Sequence, residues 1–376
     1  MRIALNARIL QAPRTGIGHY VAELATALTR EPDVQLSLFH GWGWSPQLPQ
    51  TAKPGYSKLS PLLRRVPGAY QARRWLEQKR FDQGRSKAID LYHEPSLWPL
   101  DFEGPMVITL HDLTHLRYPE TQPPARLKEI ERRLGRAVEQ AQLILTDSQF
   151  IADEAQQHFG LPAERLRVAP LGVAARFHPR EPEAIDAVLK AHGLEHRRYF
   201  LCVGTLEPRK NLSLALRAHA GLPESVRQTF PLFIVGMSGW QQAQLNDELK
   251  CALADGHVCL AGYLPDEQVA QLLAGARALI FPSYYEGFGL PVLEAMASGT
   301  PVITTRHSAM PEVAGPAGNY CEPDDPQGMR DAMSRLMEDH PHWQACREAG
   351  LQQAALFSWE RCAKVTAQAY RQVLGG

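Results

Sequence analysis

Two α/β domains, each a doubly wound parallel sheet with helices on both faces, are what this sequence predicts. Three observations carry the expectation. At 376 residues the chain is long for a single hydrophobic core and suits two. Short apolar runs recur through both halves, each followed by a turn bearing Gly, Pro or polar residues and then by a helical pattern. Between the halves, PLGVAARFHPREPEAID (residues 170–186) keeps no helical or strand period until about Ala184, so a domain boundary belongs there. Residues 1–175 are expected to form the first domain, 176–357 the second, and 358–376 a terminal helix.

Composition excludes several classes of protein. Lys plus Arg and Asp plus Glu both number 40, so no global charge advertises a nucleic-acid partner or an anionic membrane. The six cysteines lie in the C-terminal half without a Cys-x-x-Cys pair or a Cys/His cluster at zinc spacing, which fits reduced core thiols and no metal site. The first ten residues, MRIALNARIL, are too polar for a signal peptide and read as a strand. No apolar run of about 18 residues exists to span a bilayer.

Along the first half, the opening strand leads through a loop to YVAELATALTR, a helical pattern. That order puts Gly16 and Gly18 where a strand's C-terminal end meets a helix N-terminus, the edge at which open α/β sheets bind ligands. The full G-x-G-x-x-G dinucleotide fingerprint is missing, which counts against a nicotinamide enzyme. His19 reads as a helix-entry residue, with a general base as the competing role. After a second strand (residues 34–39), residues 41–61 carry scattered Pro and Gly and read as a long loop. Residues 53–87 then hold ten basic side chains opposed by Glu77 and Asp82, with Leu62, Leu63, Trp75 and Phe81 interleaved. Such a segment suits an anionic lipid surface or a phosphorylated acceptor, with a plain solvated helix face as the competing reading.

Residues 89–92 and 106–110 read as buried strands ending in His93-Glu94 and His111-Asp112. Polar residues at such ends point into a ligand crevice, and His111 is the strongest candidate: its imidazole can bond a phosphate or a sugar hydroxyl, while Asp112 orients it or holds the loop. A purely structural strand-end histidine is the competing reading. A helix over residues 124–141 and a strand over 143–146 follow, after which Asp147-Ser148 is expected to cap a helix over 149–159.

The second half opens with a strand (residues 199–203) and GTLEPRKNL, where Arg209 and Lys210 offer a pyrophosphate one bidentate and one compact cation and Asn211 reads as a helix cap. Strands at residues 231–235 and 258–260 follow. The stretch that organises this half is residues 278–305, ALIFPSYYEGFGLPVLEAMASGTPVITT, a strand, a Gly-rich turn, a helix and a strand. Glu286 stands in the turn beside Gly287, Phe288, Gly289 and Leu290, whose amides are free to donate, and Glu294 follows eight residues later inside the helix. A helix N-terminus suits phosphate, and ionised carboxylates accept bonds from sugar and ribose hydroxyls. The last helix, residues 359–374, is amphipathic.

These motifs resemble the retaining nucleotide-sugar glycosyltransferases of family 4, which have two Rossmann-like domains facing across a cleft in the GT-B architecture. The resemblance rests on the Gly loop at Gly16, His111-Asp112, TDSQF at 146–150, VAPLGV, VGTLEPRKNL, and Glu286 and Glu294 with seven residues between. It implies that Arg209 and Lys210 hold the donor's diphosphate, Glu286 the transferred sugar and Glu294 the ribose. It further implies that residues 287–290 offer backbone N–H groups, that Gly16 lines the phosphate side, that His111 sits near the reacting sugar, and that the terminal helix crosses back to the first domain. Where many relatives have Gly-Gly, this chain has Ile17 between Gly16 and Gly18, which leaves open the glycine that meets phosphate.

GIGHYVAELATAL and HDLTHLRYPE look most like bacterial O-antigen enzymes that move mannose or D-rhamnose from a GDP donor to a lipid-linked glycan. The expectation is therefore a cytoplasmic, metal-independent, retaining hexosyltransferase that needs no cofactor, touches no nucleic acid and meets the inner membrane face through residues 53–87. A UDP-sugar transferase, an epimerase or phosphorylase of the same architecture, and a non-catalytic nucleotide-sugar-binding subunit are the rivals.

Overall fold

A computed structural model describes residues 1–12, 16–48, 69–84, 89–121, 124–237 and 243–375. The chain divides into two compact units: Met1–Leu113 with Pro124–Gly172 and Trp359–Gly376, and Thr114–Pro123 with Val173–Ser358.

The first unit is built on a sheet of seven strands among the described residues: β1 (Arg2–Asn6), β2 (Gln35–Phe39), β3 (Trp44–Ser45), β4 (Leu91–Glu94), β5 (Met106–Leu110), β6 (Leu143–Thr146) and β7 (Leu166–Val168). Their spatial order is β3-β2-β1-β4-β5-β6-β7. All pair in parallel except β3, which runs antiparallel to β2. The stretch expected to be loop alone thus contributes an edge strand. Gly41 (φ 84°) turns the chain, the His40 amide donates to the Gly43 carbonyl at 2.9 Å, and Trp44 packs against Phe39 and Phe81 with ring centroids 5.1 Å away in each case. Two aromatic neighbours outweigh the low strand propensity of GWGWSP.

Strand β4 also runs further than the sequence suggested. His93 and Glu94 are strand residues with no solvent exposure, so they belong to the core and not to a crevice. His93 bonds the Tyr370 hydroxyl with one ring nitrogen and Thr109 Oγ1 with the other, each at 2.7 Å, and Thr109 bonds Tyr20 at 2.9 Å. Burial, with His111 nearby, lowers His93 to about 3, so it is neutral at physiological pH. Tyr370 lies on the Trp359–Val373 helix, which buries Cys362, Ala363, Thr366 and Ala369 and is pinned outside by Arg371 to Asp33 at 2.7 Å. Glu94 accepts from Asn6 at 2.6 Å, Tyr92 at 2.5 Å and Ser96 at 2.6 Å.

The second unit has six strands among the described residues, β8 (Phe200–Val203), β9 (Leu232–Val235), β10 (Val258–Gly262), β11 (Ala278–Phe281), β12 (Val302–Thr305) and β13 (Gly318–Cys321). They stand in the order β10-β9-β8-β11-β12-β13, all parallel. Strand order reverses between β8 and β11, the switch point at which loops diverge and leave a crevice. The core beneath packs Leu214, Ile234, Ile280, Ile303, Met329 and Trp343.

Close backbone approach fixes one glycine here. A Cβ on Gly236 would stand 1.8 Å from the Gly204 carbonyl oxygen, which is backbone and has nowhere to move. Gly236→Ala is therefore expected to cost about 2–3 kcal/mol of stability, read as a lower urea midpoint for the second unit. An unchanged midpoint would contradict the close approach of the two turns.

Candidate active site

Two loops leave the switch point of the second unit from neighbouring strands, since Phe200 of β8 pairs with Ala278 of β11 and Leu201 with Leu279. The loop after β8 carries Arg209 and Lys210 in a short 3-10 turn, and the loop after β11 carries Glu286. The Tyr284 amide donates to the Arg209 carbonyl at 2.8 Å, tying the loops together.

Asn211 was expected to cap the following helix. It takes the left-handed conformation (φ 53°) and makes no side-chain cap; its Nδ2 donates instead to the Pro323 carbonyl at 2.7 Å and the Pro282 carbonyl at 3.2 Å. A side chain bridging two loops from a buried position fixes both, and two accepting carbonyls hold it away from the helix amides.

The charged side chains converge. Glu286 Oε1 lies 2.6 Å from Lys210 Nζ and 3.0 Å from an Arg209 terminal nitrogen. Arg209 also meets Glu207 at 3.0 Å and donates to the Tyr285 carbonyl at 3.0 Å. Glu286 is 7 % exposed. Burial alone would raise its pKa, but Arg209 and then Lys210 reverse that and bring it down to about 2, so it is ionised at every physiological pH. The same burial lowers Lys210 despite its partner. Lys210 also lines a small hollow of about 30 Å³ with Gly204, Thr205, Leu206 and Pro282.

Beyond Glu286, Gly287 and Phe288 are buried, and Gly289 has φ 97°, a conformation that a side chain strains. A Cβ on Gly289 would also meet Met310 Cε at 2.3 Å. Leu290 begins the Leu290–Ala297 helix, on which Glu294 is half-buried one turn in. Tyr118, from the Thr114–Pro123 segment, packs against Tyr285 with centroids 5.8 Å apart.

In the first unit, His111 follows β5 and is held at both ring nitrogens: Nδ1 lies 2.7 Å from Asp147 Oδ2 and Nε2 3.1 Å from the Pro95 carbonyl. Its carboxylate partner is thus Asp147, at the end of the neighbouring β6, and not the adjacent Asp112. Strand pairing brings the ends of β5 and β6 side by side, whereas successive residues diverge. Of the expected capping pair, Ser148 accepts from the Ile151 amide at 3.3 Å, while Asp147 serves the histidine. Only the imidazolium can donate to two acceptors at once. Burial pulls His111 down, but the charge and hydrogen bond of Asp147, with Asp112's charge and the Pro95 carbonyl, outweigh it and its pKa is raised. Tyr20 closes one side edge-on, 4.6 Å between centroids.

Gly16 and Gly18 are the first and third residues of the Gly16–Leu28 helix, where amides lack intrahelical partners. No atom lies within 4 Å of a Cβ built on Gly16. His19 is half-buried in the same turn. Of the basic run, Lys53, Lys58, Arg64, Arg65, Arg85 and Lys87 lie outside the described residues, as does Thr15. Arg73, Arg74, Lys79 and Arg80 are on the Ala69–Gly84 helix, where Arg73 pairs with Glu77 at 2.8 Å and Arg74 with Glu129 at 3.5 Å.

Two family models together match most of the chain, "Glycosyltransferase Family 4" over residues 14–177 and "Glycosyl transferases group 1" over residues 185–353. The chain therefore belongs to the group 1/family 4 glycosyltransferases, with two GT-B-type parallel-sheet domains. It is 34% identical to the O-antigen chain mannosyltransferase B of Escherichia coli, over 99% of this chain and 100% of that one. It is 31% identical to the MMP alpha-(1->4)-mannosyltransferase of Mycolicibacterium hassiacum, over 65% of this chain and 57% of that protein. Among solved structures, sucrose-phosphate synthase from Thermosynechococcus elongatus matches with a TM-score of 0.76 at 22% identity, covering 100% and 99% of the two chains. WaaG, a glycosyltransferase of lipopolysaccharide biosynthesis, matches at 0.71 and 18%, covering 100% of each.

Replacing Asp147 by Asn removes the negative charge beside the ring and leaves a neutral amide in its place. The His111 pKa, followed by NMR of the ring protons, is expected to fall towards or below the ordinary imidazole value. An unshifted titration would contradict the pairing.

Proposed function

We propose that this glycosyltransferase moves a mannosyl group, or the related D-rhamnosyl group, from a GDP-sugar to a hydroxyl of a lipid-linked glycan in bacterial polysaccharide synthesis. The observation that carries the reading is the convergence of Arg209, Lys210 and Glu286 at one switch point. Two cations there suit a diphosphate, and a carboxylate beside them suits sugar hydroxyls. The full-length similarity to an O-antigen mannosyltransferase favours mannose among the hexoses.

In the proposed reaction the acceptor oxygen bonds to the anomeric carbon as the bond from that carbon to the diphosphate breaks. Arg209, Lys210 and the N-terminus of the Leu290–Ala297 helix offset the charge that grows on the leaving oxygen. The acceptor's proton passes to that same diphosphate, on the face from which attack occurs, and the configuration is retained. No second carboxylate about 5 Å away is needed, unlike a retaining glycosidase. Glu294 would hold the ribose, Gly16 or Gly18 the phosphate side, and His111, as a cation fixed by Asp147, the region of the reacting sugar. Asp112 would hold the loop behind it.

Contact with the inner membrane face would bring the enzyme to a lipid-linked acceptor. On the Ala69–Gly84 helix, Trp75 is 56% and Leu76 42% exposed, and the Lys79 ammonium lies 3.8 Å from the Trp75 ring centroid. An aromatic and an aliphatic side chain beside basic residues suit an anionic lipid surface. No helix among the described residues is long and apolar enough to cross a membrane.

A donor screen tests the reaction. GDP-mannose or GDP-rhamnose is expected to be consumed in preference to UDP-glucose and UDP-N-acetylglucosamine, and undiminished turnover in excess EDTA is expected of a metal-independent enzyme. Preferred use of a UDP-sugar would replace the donor assignment, and turnover of donor without any acceptor would favour an epimerase. Lys210→Ala should lower kcat by about 10²–10³; full activity would remove the residue from the site. Trp75→Ala with Lys79→Ala should weaken sedimentation with vesicles containing phosphatidylglycerol, and unaltered binding would count against that face.

A further inference from the structure

The cations of the proposed donor site are already occupied. Lys210 and Arg209 both rest on one oxygen of Glu286, and Arg209 also rests on Glu207, so the charges of these four side chains cancel. Lys210 and Arg209 side chains are only 16% and 14% exposed and that of Glu286 9%, so water screens these contacts weakly. A diphosphate that takes the two cations must draw them from Glu286, and a buried carboxylate stripped of its partners is costly unless new donors reach it.

From this we propose that Glu286 makes the site select the intact sugar nucleotide over the spent nucleoside diphosphate. The inference rests on the donor reading above and adds a specificity role to it. An intact donor brings sugar hydroxyls that can donate to Glu286 as its cations turn to phosphate. A nucleoside diphosphate brings none, so binding it leaves the carboxylate unpaired. Once the glycosyl group has gone, Glu286 competes for Lys210 and Arg209 and speeds departure of the product. Glu207 carries the same charge but pairs with Arg209 from its own loop, and it supplies a control: its removal strengthens the cations without altering what a sugar contributes.

Calorimetric titration of GDP and GDP-mannose into the wild type, Glu286→Gln and Glu207→Gln decides the matter, with thermal melting to establish that each is folded. The wild type should bind GDP-mannose more tightly than GDP. Glu286→Gln should bind GDP about tenfold more tightly than the wild type, a change of ordinary coupling size, while GDP-mannose affinity stays level or falls, so the preference collapses. Glu207→Gln should tighten both ligands and keep their ratio. GDP affinity in Glu286→Gln equal to or below the wild type would overturn the inference while leaving the donor site standing. The same holds if Glu207→Gln changes the ratio as Glu286→Gln does, since charge alone would then account for it. Absence of binding by GDP, GDP-mannose, UDP and UDP-glucose in all three proteins would overturn the donor reading and the inference with it.

Discussion

A carboxylate held in the interior by two cations is the constraint on which the second unit's ligand edge depends. Glu286 stays ionised there only because Arg209 and Lys210 outweigh the cost of removing it from water. Neither loop could hold its charges alone. They come together because β8 and β11 are neighbours at the point where strand order reverses, so loops 76 residues apart in sequence, at Arg209 and Tyr285, leave the sheet side by side. The supporting contacts are polar and local: Asn211 bonds the carbonyls of two other loops, and the Gly204 and Gly236 turns touch backbone to backbone. A site preorganised in this way spends little on reorientation when charge develops, which is where electrostatic catalysis gains most.

In the first unit the comparable device is a chain of buried hydrogen bonds, Tyr20 to Thr109 to His93 to Tyr370. It runs from the first helix through β5 and β4 to the last helix. A neutral His93 suits it, because one ring nitrogen donates while the other accepts. His111, on the next strand end, is the opposite case, a ring set between the Asp147 carboxyl and the Pro95 carbonyl with its pKa raised. Two histidines in one unit are thus driven in opposite directions by what surrounds them.

Much of this was legible in the chain. Continuous apolar runs such as LILT at 143–146 and ALIF at 278–281 mark buried parallel strands, and the turn chemistry after them marks ligand edges. Arg209, Lys210 and Glu286 could be nominated for one locus because each follows a strand that a doubly wound sheet places at its centre. What escaped was whatever depends on lateral pairing. Asp147 looks like a helix cap beside Ser148, and only the register of β5 with β6 (Leu110 with Thr146) shows that it faces His111. His93 and Glu94 look like crevice residues until the strand proves to end two residues later. Asn211 sits at a cap position, yet its left-handed backbone and two carbonyl acceptors send its side chain elsewhere. The β3 edge strand has no periodic signal in two residues and is made by Trp44 packing on Phe39 and Phe81.

The most direct measurement is a crystal structure of the wild-type protein with GDP and, separately, with an intact unreactive analogue of GDP-mannose. The expected result is a diphosphate within hydrogen-bond distance of Lys210 Nζ and the Arg209 guanidinium, with Glu286 turned from those cations to the sugar hydroxyls in the second complex. A diphosphate bound elsewhere, with the Glu286 ion pairs untouched, would contradict the assignment.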